Sequence, residues 1–320
     1  MPGSIPASLI VGIGEVLWDV YPDDRFLGGA PANVIWNAAG LNKPAVMVSR
    51  VGQDEWGVAA LQSMAARGIS TDYIQRDPDI PTGQVHVTLD ARGVPSFKCD
   101  RNAAYHNLQP EESWNDLIPR VGAVVFGTTG QLESQGREST QYFIRRVLTG
   151  LKVFDINIRG RARTSLQIAE DSMHMADIVK VNDEELCVLR EEFTANSVND
   201  VEAAQQVIQR YNLAALLITF GPQGAAVVTP ETILYTPGYA IEPVDTTGAG
   251  DAFTTGYVVK TLEQQSLSQC LGYANAMAAF HATLRGGTPD FSAGHVAEFQ
   301  HKSNERITNP AWMPWLVEDC

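Results

Sequence analysis

Short unbroken apolar runs alternate along this chain with longer stretches in which apolar residues return every third or fourth position. The runs fall at residues 8–17, 44–51, 122–127, 151–156, 176–182, 214–220 and 224–229. They show little of the polar alternation of a half-exposed strand, so they read as strands covered on both faces. Between them, residues 31–41, 54–68, 138–150, 200–212 and 251–265 carry helical periodicity. Strands and helices in alternation predict an α/β fold, a mostly parallel sheet with helices on both faces.

Two segments break the alternation. Residues 15–29, "EVLWDVYPDDRFLGG", and 83–105, "GQVHVTLDARGVPSFKCDRNAAY", read as paired extended segments with turn residues between them, "DARG" in the second resembling a hairpin turn. They predict a small β-strand lid beside the main sheet, placed where it can close over a ligand at the carboxyl ends of the strands. No repeat, low-complexity tract or Pro/Ser-rich linker divides the chain, so residues 1–320 read as a single domain.

Composition narrows the partners. The 23 Lys and Arg against 37 Asp and Glu leave a formal net charge of -14, and no basic run interrupts it. Nucleic acid and anionic membrane are therefore not expected partners. Cys99, Cys187, Cys270 and Cys320 are too scattered for a zinc site or a disulfide framework and read as reduced thiols. The first residues lack a basic stretch, and their apolar run is too short for a signal peptide or a membrane span. The cytoplasm is the expected compartment.

The chemistry concentrates in "VDTTGAGDAF", residues 244–253. Gly248, Ala249 and Gly250 let the backbone curl with its N–H groups facing one point, and a helix starting near Asp251 adds its positive end. Such a turn holds an anion. Asp251 sits in the first helical turn, where the dipole favours its ionised form, and it can accept a proton from a hydroxyl brought to the same place. Charge developing on a transferring phosphoryl group and a proton leaving the attacking alcohol are thus both provided for. "GIGEVL" near the start mimics half of a dinucleotide fingerprint, but it lacks the third glycine and the following helix, so an oxidoreductase is not supported.

"DTTGAGDAF" together with "GGAPANV", residues 28–34, resembles the two signatures of the PfkB-type, ribokinase-like carbohydrate kinases, and "GGAPANV" is most similar to the fructokinase branch. The resemblance implies a ribokinase-like fold and an ATP-dependent transfer to a sugar primary hydroxyl, with Asp251 as the base and Gly248, Ala249 and Gly250 as the anion hole. It also implies that Asp245 orders the loop beside a K⁺ held by backbone oxygens, and that Asp19, Gly29 and Asn33 contact the sugar. "VKVNDEEL" is similar to the family's N-x-x-E element, which would give Asn182 to the nucleotide and Glu185 to the water shell of Mg²⁺; a helix cap is the structural alternative for this pair. "FDINIR" resembles a strand-end segment that would place Arg159 on a phosphate or an acidic sugar group, with Asp155 and Asn157 as turn formers or contacts. Thr219, Gly221 and Gly224 of "TFGPQG", with Asn275, resemble the nucleotide shelf. In "DRNAAYHNL", Arg101 and Tyr105 would meet the sugar, although His106 stands where an acid is expected.

Ile35 and Trp36 follow "GGAPANV" where the family usually has small residues, so the sugar wall is reshaped. Fructose is the first expected substrate, with 2-keto-3-deoxygluconate, ribose and a nucleoside behind it. A non-catalytic binding protein on a kinase fold is the rival of another class; it would need a lost base or a broken anion hole, and both are intact. A homodimer paired through lid edges also fits the resemblance. The remaining histidines show no ligand spacing, and the ending "NPAWMPWLVEDC" must cover something apolar.

Overall fold

The computed structural model describes residues 8–89, 95–99, 102–158, 161–195, 197, 199–303 and 305–307. Arg101, Arg159, the "DARG" turn and the Trp-containing ending lie outside these residues.

The chain opens with β1 (Leu9–Ile13), crosses to a tight pair β2 (Leu17–Val20) and β3 (Arg25–Gly28), and enters α1 (Ala30–Gly40). Then come β4 (Ala45–Gly52), α2 (Glu55–Ala66), β5 (Ile74–Asp77), β6 (Gly83–Leu89) and β7 (Pro95–Cys99). A short α3 (Trp114–Leu117) leads into β8 (Val121–Gly127), α4 (Ser134–Arg146), β9 (Leu151–Asp155) and α5 (Arg163–Met173). Further on lie β10 (Ile178–Asn182), α6 (Asp183–Phe193), α7 (Asp200–Tyr211), β11 (Ala215–Thr219), β12 (Gly224–Val228) and β13 (Ile233–Tyr239). Last are α8 (Ala249–Leu262), α9 (Leu267–His281), α10 (Ala293–Lys302) and β14 (Arg306–Ile307).

Ten strands form the main sheet in the order β14-β13-β12-β11-β10-β9-β8-β1-β4-β5. From β5 to β11 every pairing is parallel; β12, β13 and β14 add antiparallel at one edge. The expected strands are all present. Alternate residues of each run go to opposite faces: Val11, Phe126, Val179 and Leu216 join one apolar cluster, while Ile10, Val125, Ile178 and Leu217 join the other. Residues of α4 to α7 pack into the first cluster and residues of α1, α2, α8, α9 and α10 into the second. Burial on both faces is what removed polar alternation from these strands.

Helix starts follow local chemistry. The Asp54 carboxylate accepts the Gly57 N–H at 2.7 Å and caps α2, while Asn182 and Glu185 form a reciprocal capping box that opens α6. Strand β13 escapes a periodicity search because Pro237 and Gly238 interrupt it; Pro237 pairs opposite Gly224 at the start of β12.

A second sheet, ordered β3-β2-β6-β7, is built from the two segments that broke the alternation. From β1 the main chain path steps outward to β4 and β5, then returns to β8 on the other side of β1 and continues through β9, β10 and β11. Outside the carboxyl ends of β1 and β8 the connections therefore diverge, leaving a crevice where α/β sheets bind ligands.

Candidate active site

The crevice is a cleft of about 1250 Å³ between the small sheet and the carboxyl ends of the main strands. Of the residues expected from sequence, it brings together Asp19, Gly29, Asn33, Tyr105, Asp155, Asn157, Asp245, Gly248, Gly250 and Asp251. Those ten come from the small sheet, the entry to α1, the segment after β7, the end of β9 and the loop and first turn that open α8.

Gly248 holds the turn before α8 at φ 76°, a conformation that favours glycine, and its carbonyl accepts the Ala252 N–H at 2.9 Å. The Ala249 N–H donates to the Thr246 carbonyl at 3.2 Å and belongs to the turn itself. Gly250 and Asp251 follow in the first helical turn, with N–H groups at the positive end of α8. Asp245 orders this loop: one carboxylate oxygen accepts the Thr247 N–H and the other the Gly286 N–H, each at 2.9 Å. Tyr21, at the end of the lid strand β2, reaches Thr247 through a hydroxyl pair at 3.3 Å.

On the cleft floor the Asn33 amide donates to Asp251 Oδ2 at 2.7 Å, and Asn33 Oδ1 has no protein partner. The helix dipole does not decide the state of Asp251, contrary to the expectation from sequence. Burial lifts its pKa to about 7, with the Asp155 and Glu15 charges adding to the rise and Asn33 and Lys180 opposing it. A carboxylate poised there is well matched to general-base work near neutral pH.

Three groups at this floor were not picked out as charged partners of Asp251. Lys180, on β10, puts Nζ 3.2 Å from Asp155 Oδ1, and a Cβ on Gly250 would lie 2.9 Å from that Nζ. Burial alone would depress the ammonium, but Asp155, Glu185 and Asp251 together hold it above its ordinary range. Glu15 follows β1, accepts the Ala30 N–H at 3.3 Å, and is pushed by burial to about 7. Asp155 had been read only as a turn former or contact. The available signals were a lysine inside one apolar run and an acid near the end of another.

Gly29 sits at φ 106°, where an added Cβ would come within 2.4 Å of the Glu15 carbonyl, so the lid crosses close over the start of α1. Tyr105 packs its ring against His106, with centroids 4.3 Å apart, and both line the cleft. Burial lowers the His106 pKa, with the Glu133 charge opposing, and a histidine fills the place where an acid was expected.

Asn182, Glu185, Thr219, Gly221, Gly224 and Asn275 lie outside this lining and form a contiguous path beside it. Asn182 pairs in register with Thr219, the turn at Gly221 leads to Gly224 opposite Pro237, and the Asn275 amide donates to the Pro237 carbonyl at 2.9 Å. Glu185 accepts the Asn182 N–H at 2.8 Å and the Ile158 N–H at 3.0 Å, and burial raises it to about 7. The capping role is thus present in full.

A helix start with N–H groups facing a cleft and a buried carboxylate beside them is an arrangement that phosphoryl transfer can use. The profile of the family described as "pfkB family carbohydrate kinase" matches residues 23–293, and the chain belongs to that family. An uncharacterized sugar kinase of Pyrococcus horikoshii is 30% identical over 297 residues, covering 87% of this chain and 91% of the relative. Fructokinase-2 of Oryza sativa is 28% identical over 323 residues, covering 91% of this chain and 93% of the relative. Among solved structures, the Pyrococcus horikoshii protein in complex with ATP superposes with a TM-score of 0.77 at 27% identity, covering 91% of this chain and 99% of that one. Fructokinase from Vibrio cholerae O395, bound to fructose, ADP and calcium, gives 0.77 at 25% identity, covering 92% and 99%. The fold is ribokinase-like, as the sequence implied, and the activity class is that of a carbohydrate kinase. No helix among the described residues is long and apolar enough to cross a membrane.

Proposed function

We propose that this chain is a fructokinase that transfers the γ-phosphate of ATP to a primary hydroxyl of the sugar. The observation that carries the reading is Asp251, hydrogen-bonded to Asn33 at the start of α8, on the floor of a cleft under the lid. The sugar lies between Asp19, Asn33 and Tyr105, and Asn33 Oδ1 accepts from one of its hydroxyls. Asp251 removes the proton from the attacking hydroxyl; the new bond forms to the γ-phosphorus as the bond to the β-phosphate oxygen breaks and ADP leaves. The Gly250 and Asp251 N–H groups at the start of α8 stabilise the charge that develops. ATP lies along the path from Asn182 through Thr219 and Gly221 to Asn275. Fructose is favoured by "GGAPANV" and by the fructokinases among the relatives and structures.

Among the described residues no cluster of three or more His, Cys, Asp or Glu could hold a metal by itself. Mg²⁺ would be carried by nucleotide phosphates and water, and Glu185, held by the Asn182 and Ile158 N–H groups, would be the carboxylate to order that water shell. When bound, Mg²⁺ neutralises phosphate charge. Backbone oxygens of the loop ordered by Asp245 are the place for K⁺. Lid edge strands β3 and β7 are where a second subunit would pair, and the cytoplasm is the expected compartment.

The test is ADP release from ATP and Mg²⁺ with D-fructose, 2-keto-3-deoxygluconate, ribose and nucleosides, on wild type beside Asp251→Asn. Turnover with fructose, lowered roughly 10² to 10⁴-fold in the variant with ATP affinity retained, is the expected result. Turnover with another sugar would move the specificity; silence across the panel with ATP still bound would make the chain a binding protein.

A further inference from the structure

The Lys180–Asp155 pair is buried where the end of β9 pairs with the middle of β10, yet the phosphoryl transfer just described assigns it no part. Taking two charges out of water is costly, and such a pair is weak evidence for stability by itself. Its surroundings point to the helix start instead. Asp155 Oδ1 takes the Lys180 ammonium at 3.2 Å, and Thr254 Oγ1 lies 3.4 Å from Asp155 Oδ2. Thr254 sits in α8 close after Asp251, and its hydroxyl also lies 3.1 Å from the Gly250 carbonyl. The ammonium rests against the space where a Gly250 side chain would be. Strands β9 and β10 thus meet the first two turns of α8 with one negative and one positive group.

We propose that Asp155 and Lys180 are positioning residues that set the protonation state of the base Asp251 and thereby fix the pH range in which the enzyme turns over. The inference rests on Asp251 being the base. Glu15 after β1, Asp155 on β9 and Lys180 on β10 act on Asp251, and Glu185 of α6 acts on Lys180; Asp19, Tyr21, Tyr105, His106, Glu133, Asp245 and Arg285 line the same cleft, and His281 lies behind Gly248. Glu15 and Asp155 raise Asp251; Lys180 lowers it. Each member of the pair therefore pulls the base in its own direction, and their removal has effects of opposite sign.

The experiment is the pH profile of kcat/KM for the sugar, from pH 5 to 9 at saturating ATP and Mg²⁺, using full-length wild type, Asp155→Asn, Lys180→Met, Lys180→Arg and Asp251→Asn. Asp155→Asn removes the negative neighbour and leaves the ammonium unpaired, so the acid limb moves down by roughly one unit. One unit below the wild-type limb, activity relative to the plateau then rises about fivefold, whatever happens to the plateau itself. Lys180→Met moves the limb up by a similar amount, and Lys180→Arg restores it. A purely structural role would scale the whole profile and leave the limb in place.

Profiles of Asp155→Asn and Lys180→Met that superimpose on wild type after scaling, or that shift the same way, would overturn the proposal. Should Asp155→Asn lose its cooperative melting transition, the upward shift in Lys180→Met and its reversal in Lys180→Arg decide the matter alone. Full turnover in Asp251→Asn would sink the base assignment, a failure separate from that of the pair.

Discussion

Two methyl groups placed two residues apart in one turn are expected to do opposite things. At Gly248 a side chain meets φ 76°, which costs roughly 1–2 kcal/mol for an L-residue. Its Cβ would also lie 2.8 Å from Gly287 Cα and 3.0 Å from His281 Cε1, a backbone atom and a buried ring. Neither can swing aside, and such overpacking adds about 1–3 kcal/mol. Gly248→Ala should therefore lose about 3 kcal/mol, and at roughly 2 °C per kcal/mol its Tm falls by about 6 °C. Gly250 lies in the first turn of α8, where alanine is favoured over glycine by at most about 1 kcal/mol. Among the described residues its only close neighbour is the far end of Lys180, 2.9 Å from the built Cβ, and that end can move. Gly250→Ala should melt within about 2 °C of wild type, since gain and contact offset each other. It should nonetheless lose roughly 10 to 100-fold in kcat, because the methyl displaces the ammonium from the turn and crowds the anion. Circular dichroism melts and ADP release on the same preparations separate stability from turnover. Equal loss of Tm in the two variants, or full turnover in Gly250→Ala, would refute the geometry assigned to this turn.

Acid should destabilise the fold through His281. Burial depresses it to about 4 in the folded protein against about 6.5 unfolded, so between those values only the unfolded chain takes the proton. Its stability contribution is complete above pH 6.5 and about 3 kcal/mol of it is lost by pH 4; urea midpoints for His281→Gln should fall less steeply over that window than those of wild type. Asp54→Ala removes the acceptor for the Gly57 N–H at 2.7 Å, the Thr82 N–H at 2.8 Å and the Thr82 hydroxyl at 2.7 Å. A loss of roughly 1–2 kcal/mol in urea unfolding is expected, and an unmoved midpoint would show that α2 is held by packing alone.

Some of the site was legible because it is written in consecutive residues. "DTTGAGDAF" needs small residues to curl and an acid in the first helical turn, and α8 starts where those residues say. Asp245 holds its loop through neighbours two residues away and at Gly286. Lys180 was not legible, because nothing within a few residues explains a buried lysine; its partner Asp155 is 25 residues away on the adjacent strand. The capping box at Asn182 and Glu185 was an open alternative in the sequence, and the structure makes it concrete.

By itself the sequence determined the alternation of strands and helices, the departure of two segments from it, and the two signatures that mark a sugar kinase. These depend on backbone and side-chain preferences acting over a few residues, so periodicity and turn chemistry carry them. Only the tertiary structure decided which charges meet. Asn33 reaches Asp251 across 218 residues and Thr254 reaches Asp155 across 99. Burial at that meeting point raises Asp251 to about 7 where its helix position alone would favour the ionised form. Desolvation and Coulomb energy depend on what surrounds a group in space, and that surrounding exists only once β1, β9, β10 and α8 have packed together.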